Sequence, residues 1–126
     1  MKPAPARTAV IAVMGLRVAY GVGLLVAPAR LARRWRGLAA ETAPTQVPLQ
    51  GLGTREVVMH TGIAIAAYRG RALRPWLLGS IAGDLTDVGA TLARRSELPG
   101  GAALATALVG GGSALVSGLL ALAVDD

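Results

Sequence analysis

The stretch GAALATALVGGGSALVSGLLALAV, residues 101–124, contains no charged side chain. About 20 apolar residues are enough to cross the hydrocarbon core of a bilayer as an α-helix, and this stretch is longer. It therefore predicts a membrane-spanning helix at 101–124. The glycines at 110–112 predict a kink or a close helix contact, because the Lys-Ser/Thr pair of a phosphate-binding loop does not follow them.

Three earlier segments also have the length of a membrane span: Thr8–Ala27, Gly51–Tyr68 and Pro75–Ala93. The first ends before Pro28, which is unfavourable inside a helix. A signal peptide is the alternative interpretation of this first segment, because Lys2 and Arg7 precede an apolar run. Arg17 within the run favours an uncleaved helix.

The segment between the first two spans, 28–38, is predicted to form a short interfacial helix. Its apolar residues recur at i, i+4 and i+7: Leu31, Trp35 and Leu38. The following segment, Glu41–Gln50, contains Pro44 and Pro48 and is predicted to be an irregular connection. The predicted fold is all-α: a bundle of four transmembrane helices in a single domain, 1–126, with the interfacial helix between helices one and two.

Composition agrees with a membrane protein. Hydrophobic residues make up 53% of the chain, 17 residues are Gly, and Phe and Cys are absent. The absence of Cys excludes disulfides and thiol chemistry. The net charge is +6, and most basic residues lie between the apolar segments, as in the flanks of membrane spans. We therefore expect membrane lipids and no nucleic acid as partners, with the basic run 30–36 against anionic lipid.

Six ionisable side chains fall within the predicted spans: Arg17, Arg55, Glu56, His60, Asp84 and Asp87. A charge at the bilayer centre costs about 2.5–3.5 kcal/mol on insertion scales, so such residues normally face the interior of a bundle and pair. Helical spacing places four polar residues on one stripe of helix three: Ser80, Asp84, Asp87 and Thr91. Glu56 and His60 share a stripe of helix two, and Arg17 and Tyr20 share one of helix one. The sequence predicts that these stripes meet.

Two carboxylates at i and i+3 repel each other in low dielectric, so one keeps its proton and acts as acid while the other acts as base. This predicts acid–base chemistry on a lipophilic small molecule: isomerisation, cyclisation or epoxide opening. The predicted catalytic residues are Asp84, Asp87, Glu56, His60, Arg17 and Tyr20. Arg17 or Tyr20 would stabilise a developing oxyanion.

Arg55, nearer the surface, is predicted to be an entrance residue or a charge partner, and Ser80 and Thr91 are predicted as polar lining. No metal is predicted, because one His among carboxylates and guanidinium groups is a poor zinc site, and no cofactor is predicted either.

The motifs Gly15-x-Arg17-x-x-x-Gly21, Gly53-x-Arg55-Glu56 with Gly62, and Gly83-Asp84-x-x-Asp87 carry a resemblance. The chain resembles small bacterial four-helix membrane proteins and is loosely similar to the DoxX-like family. The resemblance implies the four-helix topology and a place in the bacterial cytoplasmic membrane. Members of that family are sometimes encoded beside oxidoreductases, but a thiol redox role is not expected without Cys.

Three other interpretations of the charged residues stay open at this point. They could form a proton- or ion-coupled carrier or channel, which would need oligomers because four helices make a thin wall. The protein could be a non-catalytic accessory subunit that binds through the Gly-rich face of helix four, and a homodimer or larger homo-oligomer is expected from that Gly content. The charges could also be a structural ion-pair network without activity.

Overall fold

The computed structural model describes residues 3–126, and these residues form helices and no strand. Five α-helices follow one another: α1 Pro5–Val26, α2 Pro28–Arg36, α3 Ala43–Tyr68, α4 Arg74–Ala93 and α5 Ala102–Ala123. Two short 3-10 turns, Gly37–Glu41 and Arg95–Glu97, lie before α3 and α5. The prediction of an all-α fold is confirmed.

Within the described residues, α1 and α5 are the helices that are both long and apolar enough to cross a membrane. The sequence predicted four such spans. The helices α3 and α4 fall short because charged residues near their centres, Arg55, Glu56, Asp84 and Asp87, lower their mean hydropathy.

The closest helix contact joins α1 to α3, which pack along most of their length. A Cβ atom on Gly21 would lie 2.7 Å from the carbonyl oxygen of Gly53, and a Cβ on Gly53 would lie 2.6 Å from that of Gly21. Neither position can hold a larger residue without moving backbone. This contact brings the two helices close enough for a side chain of α1 to reach α3 directly.

A second antiparallel pair is formed by α4 and α5. Residues Ala107–Gly111 of α5 form a π-helical turn, and a Cβ on Gly110 would lie 3.3 Å from the carbonyl oxygen of Asp84. The kink or close contact predicted for residues 110–112 thus corresponds to a π turn that packs on α4. The two pairs, α1 with α3 and α4 with α5, approach each other less closely than their own members do.

The prediction of an irregular connection at Glu41–Gln50 is wrong for most of that segment, because α3 already begins at Ala43. Pro44 lies in the first turn, where a missing N–H breaks no helical hydrogen bond. Pro48 is one turn further in and is accommodated within the helix. The Gln50 side chain donates to the carbonyl oxygen of Leu25 at 3.1 Å, which ties this turn to the end of α1.

The helix α2 is present as predicted but is shorter than 28–38. It ends at Arg36 because Gly37 has φ +62°, and Leu38 is 88% exposed in the following 3-10 turn. Leu38 therefore does not continue the stripe predicted with Leu31 and Trp35. The indole N–H of Trp35 instead donates to the Thr91 hydroxyl at 2.8 Å, so α2 is held across the end of α4.

The opposite end of the molecule, which we call the tail end, contains the start of α1, the connection 69–73 and residues 124–126. Both carboxylate oxygens of Asp126 accept from the backbone N–H of Leu73 at 2.9 Å, and one also accepts from that of Arg74. Arg7 donates to the carbonyl oxygen of Asp125 at 2.7 Å. The backbone N–H groups of Arg74 and Leu73 hold the pKa of Asp126 below its usual value.

Candidate functional site

The guanidinium of Arg17 joins three helices. It donates to both oxygens of Asp84, each at 2.7 Å, and to both oxygens of Glu56, at 3.1 and 3.2 Å. The glycine contact between α1 and α3 sets the short distance to Glu56, and Asp84 comes from α4. Four of the five guanidinium N–H groups are therefore used by two carboxylates.

Little water reaches these ion pairs. The side-chain exposure is 12% for Arg17, 9% for Glu56 and 7% for Asp84. Charges buried to this extent are screened much less than surface pairs. Removing one partner would leave the other as an uncompensated buried charge. Arg17, Glu56 and Asp84, which we call the ion triad, are thus the electrostatic centre of the molecule.

His60 lies against the ion triad and is fully buried. Its Nδ1 is 2.8 Å from the backbone carbonyl oxygen of Glu56 and 3.2 Å from the Glu56 carboxylate. Both are acceptors, so Nδ1 carries a hydrogen and donates. Its Nε2 is 3.2 Å from the Ser80 hydroxyl, which donates to it when the imidazole is neutral. The ring is thereby fixed in one tautomer.

Two grooves lie on opposite sides of the ion triad, between the two helix pairs. The α3/α4 groove has a volume of about 940 Å³ and extends from Trp76 near the tail end past Gly79 and Gly83. The α1/α5 groove has a volume of about 680 Å³ and extends inward from α2 between Leu16 and Leu108. Both volumes lie within the range of small-molecule sites.

Five residues line both grooves: Arg17, Leu52, Glu56, Asp84 and Asp87. The ion triad and Asp87 thus form a wall between the two grooves. A molecule in either groove would meet the same carboxylates.

Asp87 differs from the other two carboxylates of this wall. It lies one helical turn from Asp84 on α4, is half-buried, and has no hydrogen-bonding or ion-pairing partner within residues 3–126. Tyr20 is also half-buried and lines the α1/α5 groove. Asp87 and Tyr20 are therefore two inner polar groups that a ligand in that groove could contact without displacing an existing bond.

The structure brings together most of the side chains that the sequence predicted as a site, with two differences, at Arg17 and at Thr91. Arg17 is already bonded to two carboxylates, so it offers little to a developing oxyanion. Thr91 lines neither groove and serves as the acceptor for Trp35 instead. Arg55 is exposed and lines the α3/α4 groove, at a position compatible with an entrance.

Leu52 and Trp35 are site-lining residues that the sequence did not indicate. Leu52 is one apolar residue among many in α3 and carries no distinguishing signal. The predicted interfacial helix contained Trp35, but its contact with α4 depends on how α2 folds back, which spacing does not reveal.

Within residues 3–126, no group of three or more His, Cys, Asp or Glu side chains is arranged so that it could hold a metal ion. When its carboxyl groups are ionised, the wall contains one cation against three carboxylates.

Comparison of the chain with models of known protein families, with curated proteins and with solved structures found no match. The resemblance to DoxX-like proteins stays a prediction. The function must therefore be inferred from the chemistry of the site.

Proposed function

We propose that the protein crosses the bacterial cytoplasmic membrane with four helices, α1, α3, α4 and α5, and binds a lipophilic small molecule in the grooves beside the ion triad. At Asp87 it carries out acid–base chemistry on that molecule. Each part of this proposal rests on a separate observation.

The distribution of polar and apolar side chains in α3 and α4 supports four spans. The buried faces of these helices carry Glu56, His60, Ser80 and Asp84, whereas large apolar side chains point outward. Exposed apolar residues occur on all four helices: Leu16, Val58, Ile65, Leu78, Leu85, Leu92, Leu104, Leu115, Leu119 and Leu122. A water-soluble protein rarely exposes apolar surface of this extent. Buried charges and an apolar exterior are what hydrocarbon surroundings require.

Helix lengths agree with four spans. The hydrocarbon core is about 30 Å thick, and the 20 residues of α4 rise about 30 Å. The bond from Gln50 to Leu25 sets the start of the α3 span level with the end of α1. The first turns of α3, Ala43–Gln50, then extend beyond the membrane. Residues 51–68 remain for the span, as the sequence predicted.

Single cysteines test this topology, because the natural chain contains none. With four spans, Ala72→Cys and Asp125→Cys react with an impermeant maleimide from the same side of a vesicle, and Ser96→Cys reacts from the other. If α1 and α5 alone cross the membrane, Ala72→Cys reacts from the same side as Ser96→Cys. That result would refute the four-span proposal.

The two grooves support a lipophilic ligand. Both lie between helix pairs and open sideways, towards acyl chains in the proposed orientation. Most of the wall surface of both grooves is apolar. A ligand that is dissolved in the bilayer can enter such a groove without passing through water. The polar atoms at the inner wall would then orient it.

Glycines in the groove walls allow the binding proposal to be tested. A Cβ on Gly83 or Gly112 would meet no atom within 4 Å, so leucine there fills the α3/α4 or the α1/α5 groove without displacing a neighbour. Gly89 has equal space but lines neither groove, so Gly89→Leu is the matched control. We expect the two groove variants to lose lipophilic compounds that co-purify with the wild type, as measured by extraction and mass spectrometry. Equal amounts in all three variants would contradict a groove site.

The position of Asp87 supports proton transfer. The spacing predicted that one carboxyl of the Asp84/Asp87 pair is reactive. Because both oxygens of Asp84 accept hydrogen bonds from Arg17, we assign this role to Asp87. Its carboxylate can take a proton from an acidic C–H of the ligand and return it to another carbon of the same molecule. The proton held by Asp87 can exchange with solvent before it is returned, the number of protons is unchanged, and the ligand is isomerised. Tyr20, across the α1/α5 groove, can donate a hydrogen bond to the oxygen that gains negative charge.

Deuterium exchange tests this chemistry. Wild-type protein in D₂O should incorporate deuterium into the co-purified ligand, and Asp87→Asn should reduce the rate by at least about 100-fold, the usual contribution of a general base. Asp125→Asn, an exposed acid at the tail end, is the control. Full exchange by a folded Asp87→Asn variant would refute the assignment.

A proton-coupled carrier is the second candidate. It is favoured by the arrangement in which the α3/α4 groove extends towards the tail end, the α1/α5 groove extends towards α2, and one charged wall separates them. A carrier moves its ligand across vesicles with protons but leaves its C–H bonds unexchanged. Ligand flux without deuterium incorporation would therefore favour this candidate.

A further inference from the structure

The α1/α5 groove changes in character along its length. At the α2 end its wall contains Leu31, Arg34 and Trp35. Further in, the walls are apolar, with Leu16 and Val116 among the residues that line them. The groove therefore has a cation at its outer end, hydrocarbon walls along its length and carboxylates on its inner side.

Arg34 is the basic residue of this groove that is free to bind a ligand. Its neighbour Arg33 is paired with Glu41, and the guanidinium of Arg36 lies 4.0 Å from the centre of the Trp35 ring. Arg34 has no hydrogen-bonding or ion-pairing partner within the described part of the chain, residues 3–126. An anion at the outer end of the groove would therefore meet an unused guanidinium.

We propose that the α1/α5 groove binds a single-chain amphiphile with an anionic head group, a carboxylate or a phosphate, and that Arg34 binds this head group. The inference rests on the proposed function, since it specifies the class of the lipophilic ligand. Guanidinium groups bind both kinds of oxyanion through charge-assisted hydrogen bonds. The carboxylates of the inner wall repel an anion, so the head group lies at α2 and the chain points inward.

This orientation sets which part of the ligand meets Asp87. The bond from Trp35 to Thr91 fixes the level of α2 along α4, and Asp87 lies one turn deeper, at about 6 Å. A head group at Arg34 therefore brings the first few carbons of the chain next to Asp87. These are the carbons whose C–H bonds are made acidic by a nearby carbonyl group in a functionalised chain.

The two tryptophans allow the α1/α5 groove to be probed separately from the α3/α4 groove. Trp35 lines the α1/α5 groove and Trp76 lines the α3/α4 groove. Trp76→Phe leaves Trp35 as the single tryptophan, which can be excited selectively, and alters an exposed side chain. In phosphatidylcholine vesicles, three bromine-labelled probes of equal chain length are compared: a fatty acid, a lysophosphatidic acid and a fatty alcohol. We expect saturable quenching of Trp35 by the acid or the phosphate at lower concentration than by the alcohol.

Arg34→Gln in this background should raise the half-saturating concentration of the anionic probe by roughly tenfold and leave that of the alcohol unchanged. Arg30→Gln, on the same helix but outside the groove, is the matched control. The relative affinity of the fatty acid and the lysophosphatidic acid shows whether the groove prefers a carboxylate or a phosphate head group. Equal effects of the Arg34 and Arg30 substitutions, or equal affinity for the alcohol, would overturn the role of Arg34.

Failure of this inference differs from failure of the proposed function. If all three probes bind alike and Gly112→Leu abolishes binding, the groove is a ligand site without head-group selection. If no probe gives saturable quenching and Gly112→Leu does not change the amount of co-purified lipophilic compounds, the ligand site itself is refuted.

Discussion

Removal of Arg17 alone should be far more destabilising than removal of the whole ion triad. Arg17→Met deletes four hydrogen bonds and leaves two carboxylates, each less than 10% exposed, without a cation. Breaking a buried ion pair by removing one partner costs about 3–5 kcal/mol, because an uncompensated charge remains. We expect a loss of that size in the free energy of unfolding.

The triple variant Arg17→Met, Glu56→Gln, Asp84→Asn removes every charge of the triad and keeps similar side-chain volumes. Replacing a buried ion pair by hydrophobic residues of similar volume is often nearly neutral, since the desolvation cost disappears together with the attraction. The same cancellation applies to the charges removed here, while the two amides keep the polar character of the site. We expect the triple variant to lose less than about 2 kcal/mol, and thus to be more stable than the single variant.

The assay is unfolding by sodium dodecyl sulfate in nonionic micelles, followed by circular dichroism. Arg55→Met is the control, because Arg55 is exposed and its removal should change the free energy of unfolding by about 0.5 kcal/mol or less. A single Arg17 variant as stable as the wild type would refute the buried triad. A triple variant no more stable than the single one would refute the charge argument.

Two further predictions concern other parts of the fold. Gly21→Ala should cost about 1–3 kcal/mol in the same unfolding assay, because its Cβ would meet the backbone of Gly53. Gly15→Ala is the control: a Cβ there meets nothing within 4 Å, so this variant should be more stable by up to about 1 kcal/mol. Equal effects of the two substitutions would contradict the close contact. The lowered pKa of Asp126 means that its stabilising contribution is present above the ordinary value of 3.8 and is lost as the pH falls through the folded-state pKa. Between pH 5 and pH 2 the wild type should therefore lose more stability than Asp126→Asn, and parallel pH profiles would refute the tail contact.

Helix identity could be predicted from sequence because it depends on local signals. The uncharged stretch 101–124 and the break at Pro28 set the limits of α5 and α1 to within a few residues. The start of α3 could not be predicted in the same way. The proline signal at 44 and 48 favours a connection, but a tertiary hydrogen bond from Gln50 holds that turn in helical form. Local propensity was overridden by packing.

The site shows the same division. Helical periodicity correctly put Glu56 with His60, and Ser80 with Asp84, on inward faces. Periodicity gives the face of each helix but not the distance between helices. It therefore could not show that Arg17 reaches two carboxylates at once.

That single fact changes how the carboxylates are to be understood. If Arg17 were free, the i, i+3 pair on α4 would be two equivalent acids that share a charge. With Arg17 bonded to both oxygens of Asp84, the two become unlike: Asp84 is fixed as a counter-ion, and Asp87 remains beside the grooves without a partner. A purely structural network has no need of such a residue, because an unpaired carboxyl costs stability in an apolar environment. The cost is understandable if Asp87 acts on a molecule that enters the grooves, and this is why we assign the chemistry to Asp87 and the positioning to the ion triad.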